Sequence, residues 1–429
     1  MGVVKPRKGK GAVATPAVVQ SEGARVVTAG FIPLLDASVL IAAAEMGFAA
    51  REGISLQLVR DVSWANIRDR LAFRRFDMAH MLSTMPVASQ LGLGSNPSPT
   101  IAPFALGRGG TAITLADRLY RQMEARAGLT GAEDAQTNAS ALKRVIEDRA
   151  ATGESPLTFG MTYPYSCHNY ELRYWLAAGG IHPDRDVKLV VVPPPLTSDA
   201  LEAGGIDGFC VGAPWNMVAV ERNVGRIVVV KHDIWPSSPE KVIGTRPEWA
   251  AAHPDTLARL LVVLDAAARW CDRTENRTEL AEILAMPGYI EAPLDIIRRV
   301  LLGEFTVDRR GTKRTIPDYF VFHEDFATFP RISQALWTYS QMVRWGQAAY
   351  SPENAALAAS GYRPDIYRAA LGSSFAPTED RRVEGTQPND RFMDGRVFDP
   401  DDIETYVQEF PIHSRLPGDH PANALDDGV

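Results

Sequence analysis

Residues 157 to 216 constrain the fold more than any other part of this chain. Leu157 to Met161 is an apolar run of strand length. Pro164 and Ser166 then punctuate the entry to a helix with Leu172, Trp175, Leu176 and Ala178 on one side. Gly179-Gly180 stops that helix, as glycines at helix carboxyl ends do. Val187 to Val192 is almost unbroken in its apolar character and predicts a strand covered on both faces. Leu196 to Ala203 predicts a helix, Gly208 to Val211 a third strand, and Pro214 the start of another helix. This grammar predicts an α/β chain with a parallel sheet. It places His168 in the first turn of a helix and Gly212 at the carboxyl end of a strand. Ligands of open parallel sheets sit at both kinds of place.

The same grammar runs through the rest. Arg25 to Phe31 predicts a strand, and Asp36 to Ala50 a helix with Val39, Leu40, Ala43 and Met46 at helical spacing. Leu56 to Val59, Asp77 to His80 and Thr100 to Leu106 predict further strands. Ser63 is the expected cap of a helix that carries Trp64 at its mouth. Repeated βα units of this kind predict two lobes flanking a cleft. Gly107 to Gly110 is the expected crossing to the second lobe, because glycine permits the backbone changes of a hinge. The chain is expected to recross near Gly212 to Trp215, with Ile227 to Val230 back in the first lobe. The expected layout is a disordered basic tail over 1–24 and a first lobe over 25–108 and 214–370 with a helical extension. A second lobe over 109–213 and an extended C-terminal arm and tail over 371–429 complete it.

Composition narrows the function. A net charge of −7 argues against general nucleic-acid affinity, which needs a basic face to displace counterions. No apolar run approaches the roughly 20 residues of a membrane helix. The three cysteines show no zinc-type spacing and are expected to be buried thiols. A Cys167–His168 catalytic dyad is disfavoured, because adjacent helical residues point about 100° apart. No cofactor or metal site is expected. The basic residues Lys5 to Lys10 and the interrupted run Ala12 to Val19 read as a tail rather than a signal peptide.

The segments CHNYELRYWLAAGGIHP (167–183), GGIDGFCVGAPWN (204–216) and DIWPSSPEKV (233–242) resemble the nitrate- and bicarbonate-binding proteins of ABC importers. Within that family they resemble most the soluble cytoplasmic nitrate/nitrite sensors. VTAGFIPLLDASVLIAAAEMGF (27–48), SWANIRDRLAFRRFDMAHMLSTMP (63–86) and FMDGRVFDP (392–400) extend the resemblance in the same order. It implies a two-lobed, type II periplasmic-binding-protein-like α/β fold with its ligand in the interlobe cleft.

It also implies an anion-ligand role for His168, at a helix amino terminus, and for Lys241, which sequence alone would read as a solvated loop lysine. Trp64 can offer its indole N–H, and Gly212 lets a backbone N–H approach a ligand. Thr111 stands where nitrate binders tend to place an amide and is shorter, so it reaches the anion through water or not at all. A set dominated by donors suits nitrate or nitrite, which only accept, over bicarbonate, whose hydroxyl needs an acceptor.

The expectation is therefore a non-enzymatic, cytoplasmic nitrate/nitrite sensor. Its implied partner is an RNA-binding antiterminator protein of two-component type, sequestered until the anion arrives, with no direct contact to nucleic acid or membrane. The anion-binding subunit of an ABC importer is the alternative. An enzyme resembling thiamine-pyrimidine synthases is a third reading, and no glycine-rich phosphate loop supports it.

Overall fold

The computed structural model describes residues 24–95 and 98–414. The expectations for residues 1–23 and for the end of the tail lie outside the described residues. The chain starts with β1 (Arg25–Phe31), β2 (Ile54–Arg60), β3 (Met78–Leu82) and β4 (Ile101–Ala105). A two-residue strand, β5 (Arg108–Gly109), precedes β6 (Thr111–Ala116), β7 (Thr158–Met161), β8 (Lys188–Val191), β9 (Gly208–Gly212) and β10 (Gly225–Val230). After a short helical turn, β11 (Lys241–Thr245) follows. Two five-stranded sheets result, in the orders β2-β1-β3-β11-β4 and β10-β6-β9-β7-β8.

Neither sheet is purely parallel. β1 pairs parallel with β2 and β3, but β11 inserts antiparallel between β3 and β4. In the second sheet β7 is parallel to β8 and β9, while β6 is antiparallel to β9 and β10. Ile227 to Val230 therefore belongs to the second sheet, not the first, and the return falls between β10 and β11. The reason is long-range pairing: Gly225–Val230 registers antiparallel against Thr111–Ala116, a contact that the local apolar pattern does not encode.

The uniform valine run behaves differently from its expectation as well. β8 is an edge strand, with Val190 37% and Val191 53% exposed. A run of β-branched residues suits a pleated surface wherever it lies, so apolar uniformity alone does not report burial on both faces.

Gly107, Gly109 and Gly110 carry the chain from β4 to β6 with φ of 107°, 86° and 84°. β5 pairs antiparallel with Phe320–Val321, so this crossing is clamped against a neighbouring segment. A Cβ on Gly109 would lie 2.0 Å from the Tyr319 carbonyl oxygen. Gly109→Ala combines that clash with a left-handed φ and should cost more than about 2 kcal/mol, read as a lowered thermal midpoint.

The arm beyond residue 371 packs on the helix Ile332–Arg344 and also reaches the second sheet's helix. Phe392 stacks on Trp235 at 4.5 Å between ring centroids, and Tyr174 donates its hydroxyl to Asp394 at 2.8 Å. No helix among the described residues is long and apolar enough to cross a membrane.

Candidate functional site

The two sheets meet through direct contacts. The Leu35 N–H donates to the Ala213 carbonyl at 2.9 Å, and Arg68 donates to the Tyr163 hydroxyl at 2.9 Å. Between them lies a cluster of buried charge.

Lys241 opens β11 and is 1% exposed, so it is not the loop lysine its sequence neighbours suggest. Its ammonium lies 2.7 Å from Asp36 Oδ2 and donates to Glu240 Oε1. Asp36 sits in the tight turn Leu35–Ala37 and also faces His80 Nε2 at 2.9 Å. Glu240 faces His168 Nε2 at 3.1 Å and accepts from Lys231 through its other oxygen. Lys231 in turn meets Glu171 at 2.6 Å, and Ser238 donates to Glu171 at 2.9 Å. One chain of acid–base contacts thus runs from His80 to Glu171.

Local structure explains how each member is held. Ser166 caps the helix Cys167–Ala178 by accepting from the Asn169 N–H at 3.0 Å, which puts His168 in the first turn. His168 is fully buried, with Nδ1 2.7 Å from the Thr162 hydroxyl. Trp64 is the first residue of the helix Trp64–Ala72 and is 1% exposed. Ser63 stands at its cap in extended conformation but makes no side-chain cap bond. Asp61 shapes the turn just before the helix instead, accepting from the Val62 N–H at 2.7 Å, the Ser63 N–H at 3.3 Å and the Asn66 side-chain amide at 3.0 Å. The Trp64 ring lies 5.3 Å from the His80 ring and 5.6 Å from the Lys241 ammonium, a cation–π distance. Its indole nitrogen is buried with no hydrogen-bond partner among the described residues.

Gly212 touches the same cluster: a Cβ there would lie 3.0 Å from Asp36 Oδ2. Thr111 pairs with Gly212 across β6 and β9, and its hydroxyl is buried without a partner among the described residues. The structure therefore brings Trp64, His168, Gly212 and Lys241 to one place, with Thr111 beside Gly212.

Sequence reasoning missed the carboxylates. Asp36, Glu240 and Glu171 turn a donor set into a mixed one, and they weaken the argument against bicarbonate from missing acceptors. Lys231 is a second buried cation, where only Lys241 was expected. A signal existed for Glu240, adjacent to Lys241 in the chain. Asp36 and Glu171 sit in apolar stretches, where a lone acid marks a buried partner.

The electrostatics follow from the geometry. Burial works against ionised Glu240, but Lys231, Lys241 and His168 outweigh it and hold the carboxyl well below its usual range. Burial also opposes ionised Asp36, and Lys241 with His80 holds it below its usual value. Burial opposes the Lys241 ammonium too, yet Asp36 and Glu240 raise it above the ordinary lysine value. Burial pushes both histidines down; Lys241 adds to this at His168, and Asp36 resists it at His80. Burial raises Glu171, against the pull of Lys231.

Cys167 Sγ, His168 and Glu240 offer atoms within 4.8 Å of one another. Two ammoniums already engage Glu240, and burial drives the thiol pKa well up, so the trio is poorly suited to a cation.

Two α/β sheets meeting over a buried, charged cleft define a two-lobed periplasmic-binding-protein-like fold. Residues 20–285 match the NMT1-like family, and the chain belongs to it. It is 31% identical over 410 residues to the nitrate/nitrite binding protein NrtA of Synechococcus elongatus, covering 92% of this chain and 90% of that one. It is 36% identical over 386 residues to the nitrate import ATP-binding protein NrtC of a Synechocystis strain, covering 90% of this chain but only 55% of NrtC. The chain thus spans about half of that relative. The crystal structure of the periplasmic nitrate-binding protein NrtA from Synechocystis superposes with a TM-score of 0.82 at 27% identity, covering 91% of this chain and 99% of that one.

Proposed function

We propose that this chain binds nitrate or nitrite in the cleft between its sheets, as the anion-binding protein of an ABC-type importer. The observation that carries this reading is the fully buried Lys241 ammonium beside the unpartnered Trp64 indole N–H. A small planar anion can accept from both, with His168 and the Gly212 backbone on the opposite wall. Homology to NrtA along nearly the whole of both chains supports the same ligand. Recognition needs no bond-making on the ligand, so the reading is binding rather than catalysis.

The resemblance of the 167–183 and 233–242 segments to cytoplasmic sensors supports a second use of the same site. In that reading the chain is cytoplasmic, and anion binding releases a bound antiterminator protein. The ligand residues come from both sheets, so an anion favours the closed arrangement, and by linkage a partner that prefers the open one weakens the anion equally. Gel filtration with a candidate partner, with and without millimolar nitrate, decides between the uses. A complex that nitrate dissociates supports the sensor; one that ignores nitrate supports the importer.

Calorimetry against nitrate, nitrite, bicarbonate and sulfate tests the site itself. A four-atom anion at about −1.5 kcal/mol per atom gives a dissociation constant of tens of micromolar. Nitrate should reach that range, and the three-atom nitrite should bind about tenfold more weakly on the same scale. Bicarbonate should also bind at least about tenfold more weakly than nitrate, because its extra proton costs a donor on Lys241 or Trp64 its acceptor. Equal or tighter bicarbonate binding would overturn the nitrate assignment and give Asp36 the role of hydroxyl acceptor.

A further inference from the structure

A second pocket adjoins the cleft cluster and is lined in part by Ser237, Pro239, Glu240 and Lys241. It is a cavity of about 20 Å³, room for one water-sized or halide-sized occupant. Arg331 lines it and is only 7% exposed, yet its guanidinium makes no hydrogen bond or ion pair among the described residues. Its one aromatic contact is a distant one, 5.9 Å to the Phe329 ring centroid. Arg331 is also the N-cap of the helix Ile332–Arg344, which has no side-chain cap bond, so the positive end of that helix adds to the local field.

The neighbouring charges are already committed. Arg108 is tied to Asp325 at 2.8 Å. Arg382 holds Glu384 at 2.7 Å and Asp390 at 3.3 Å, and Ser333 donates to Glu384 at 2.6 Å. Glu384 and Asp390 therefore offset Arg331 from a distance but do not touch it. Burial, with Arg382 alongside, pushes the Arg331 guanidinium down to about 10. A buried cation without a contacting partner is costly, and a cavity at its tip allows that cost to be relieved by a ligand.

We propose that this pocket is a second anion site, in which Arg331 takes one small monovalent anion of halide or nitrite size. The pocket shares Glu240 and Lys241 with the cleft, but the cation proposed to hold its anion, Arg331, is not among the residues assigned there. It adjoins the Glu240–Lys241 main chain, where the Leu106 N–H donates to the Lys241 carbonyl at 2.9 Å. Occupancy would thus stiffen the strand that presents the cleft lysine.

Bromide is the probe. Crystals of the full chain grown in sodium bromide should show an anomalous peak in contact with the Arg331 guanidinium. An ordered water there, or a bromide peak confined to the cleft, overturns the proposal. In solution, exchanging gluconate for bromide at constant ionic strength should raise the thermal midpoint by about 3 °C, and Arg331→Gln should abolish the rise. Full stabilisation retained in Arg331→Gln also overturns it. Should that variant not fold, the anomalous map of the natural chain still decides. A bromide peak that persists at Arg331 in Lys241→Ala supports a site independent of the cleft. Its loss there would merge the two sites and defeat the proposal, whatever becomes of nitrate binding.

Discussion

Replacing Lys241 with alanine should abolish measurable nitrate binding, a loss of more than about 100-fold, since truncating one partner of a desolvated charge pair costs roughly 2–5 kcal/mol. It should also lower stability, because Asp36 and Glu240 would remain buried without the cation between them. Breaking a buried pair in this way costs about 3–5 kcal/mol. The two effects have different origins, so one variant does not separate a ligand lysine from a structural one. Asp36→Asn separates them. Asp36 holds the Lys241 ammonium at 2.7 Å and so competes with any anion for it. If Lys241 binds the ligand, removing that competitor should tighten nitrate by about tenfold, within the range for removing one charged hydrogen-bond partner. If Lys241 only neutralises Asp36 and Glu240, Asp36→Asn will leave nitrate affinity unchanged or lower it. Calorimetry of both variants, with thermal melts as the folding control, reads the answer directly.

The fold was legible where local chemistry decides it. Ser166 before Cys167-His168, the glycine pair after Ala178 and the apolar spacing between them specify the helix Cys167–Ala178, because caps and amphipathicity act within a few residues. Strand membership was not legible for the opposite reason. Whether Gly225–Val230 joins one sheet or the other depends on contacts with Thr111–Ala116, more than 100 residues earlier, which no local pattern encodes.

The site shows the same division. Trp64, His168, Gly212 and Lys241 stand out by residue type and family resemblance. Their convergence depends on β11 returning beside β3, a tertiary event. The pairing within the ion chain through Asp36, Glu240, Glu171 and Lys231 was not legible for a further reason. An acidic residue in an apolar helix or turn announces that it needs a partner, but not which one.

That ion chain also sets how binding depends on pH. Asp36 and Glu240 balance Lys231 and Lys241, while burial raises Glu171 toward its neutral form. An added anion leaves one uncompensated negative charge in a buried site, and a proton is the cheapest remedy. His80 is poorly placed to take it, because its Nδ1 accepts from the Ile32 N–H at 3.4 Å and would lose that bond on protonation. His168 can take it: Glu240 and the Thr162 hydroxyl flank its two nitrogens and both can accept. In the free protein, burial and then Lys241 hold His168 below the ordinary value of about 6.5. A bound anion beside it raises that value.

Nitrate itself carries no proton in this range, so the sign is unambiguous. Affinity should be greatest below the free-protein pKa of His168 and fall about tenfold per pH unit between the free and bound values. Above the bound value it should level off. Stability of the free protein moves the other way: with His80 and His168 both depressed by folding, their contribution is complete above about pH 6.5 and is lost as pH falls through their folded values. Nitrate titrations in buffers of different ionisation enthalpy should therefore report uptake of up to one proton per anion. His168→Gln should abolish that uptake while leaving the protein folded. Uptake that survives in His168→Gln would place the proton on Glu171, and no uptake at any pH would mean that the cleft accepts the anion's charge without compensation.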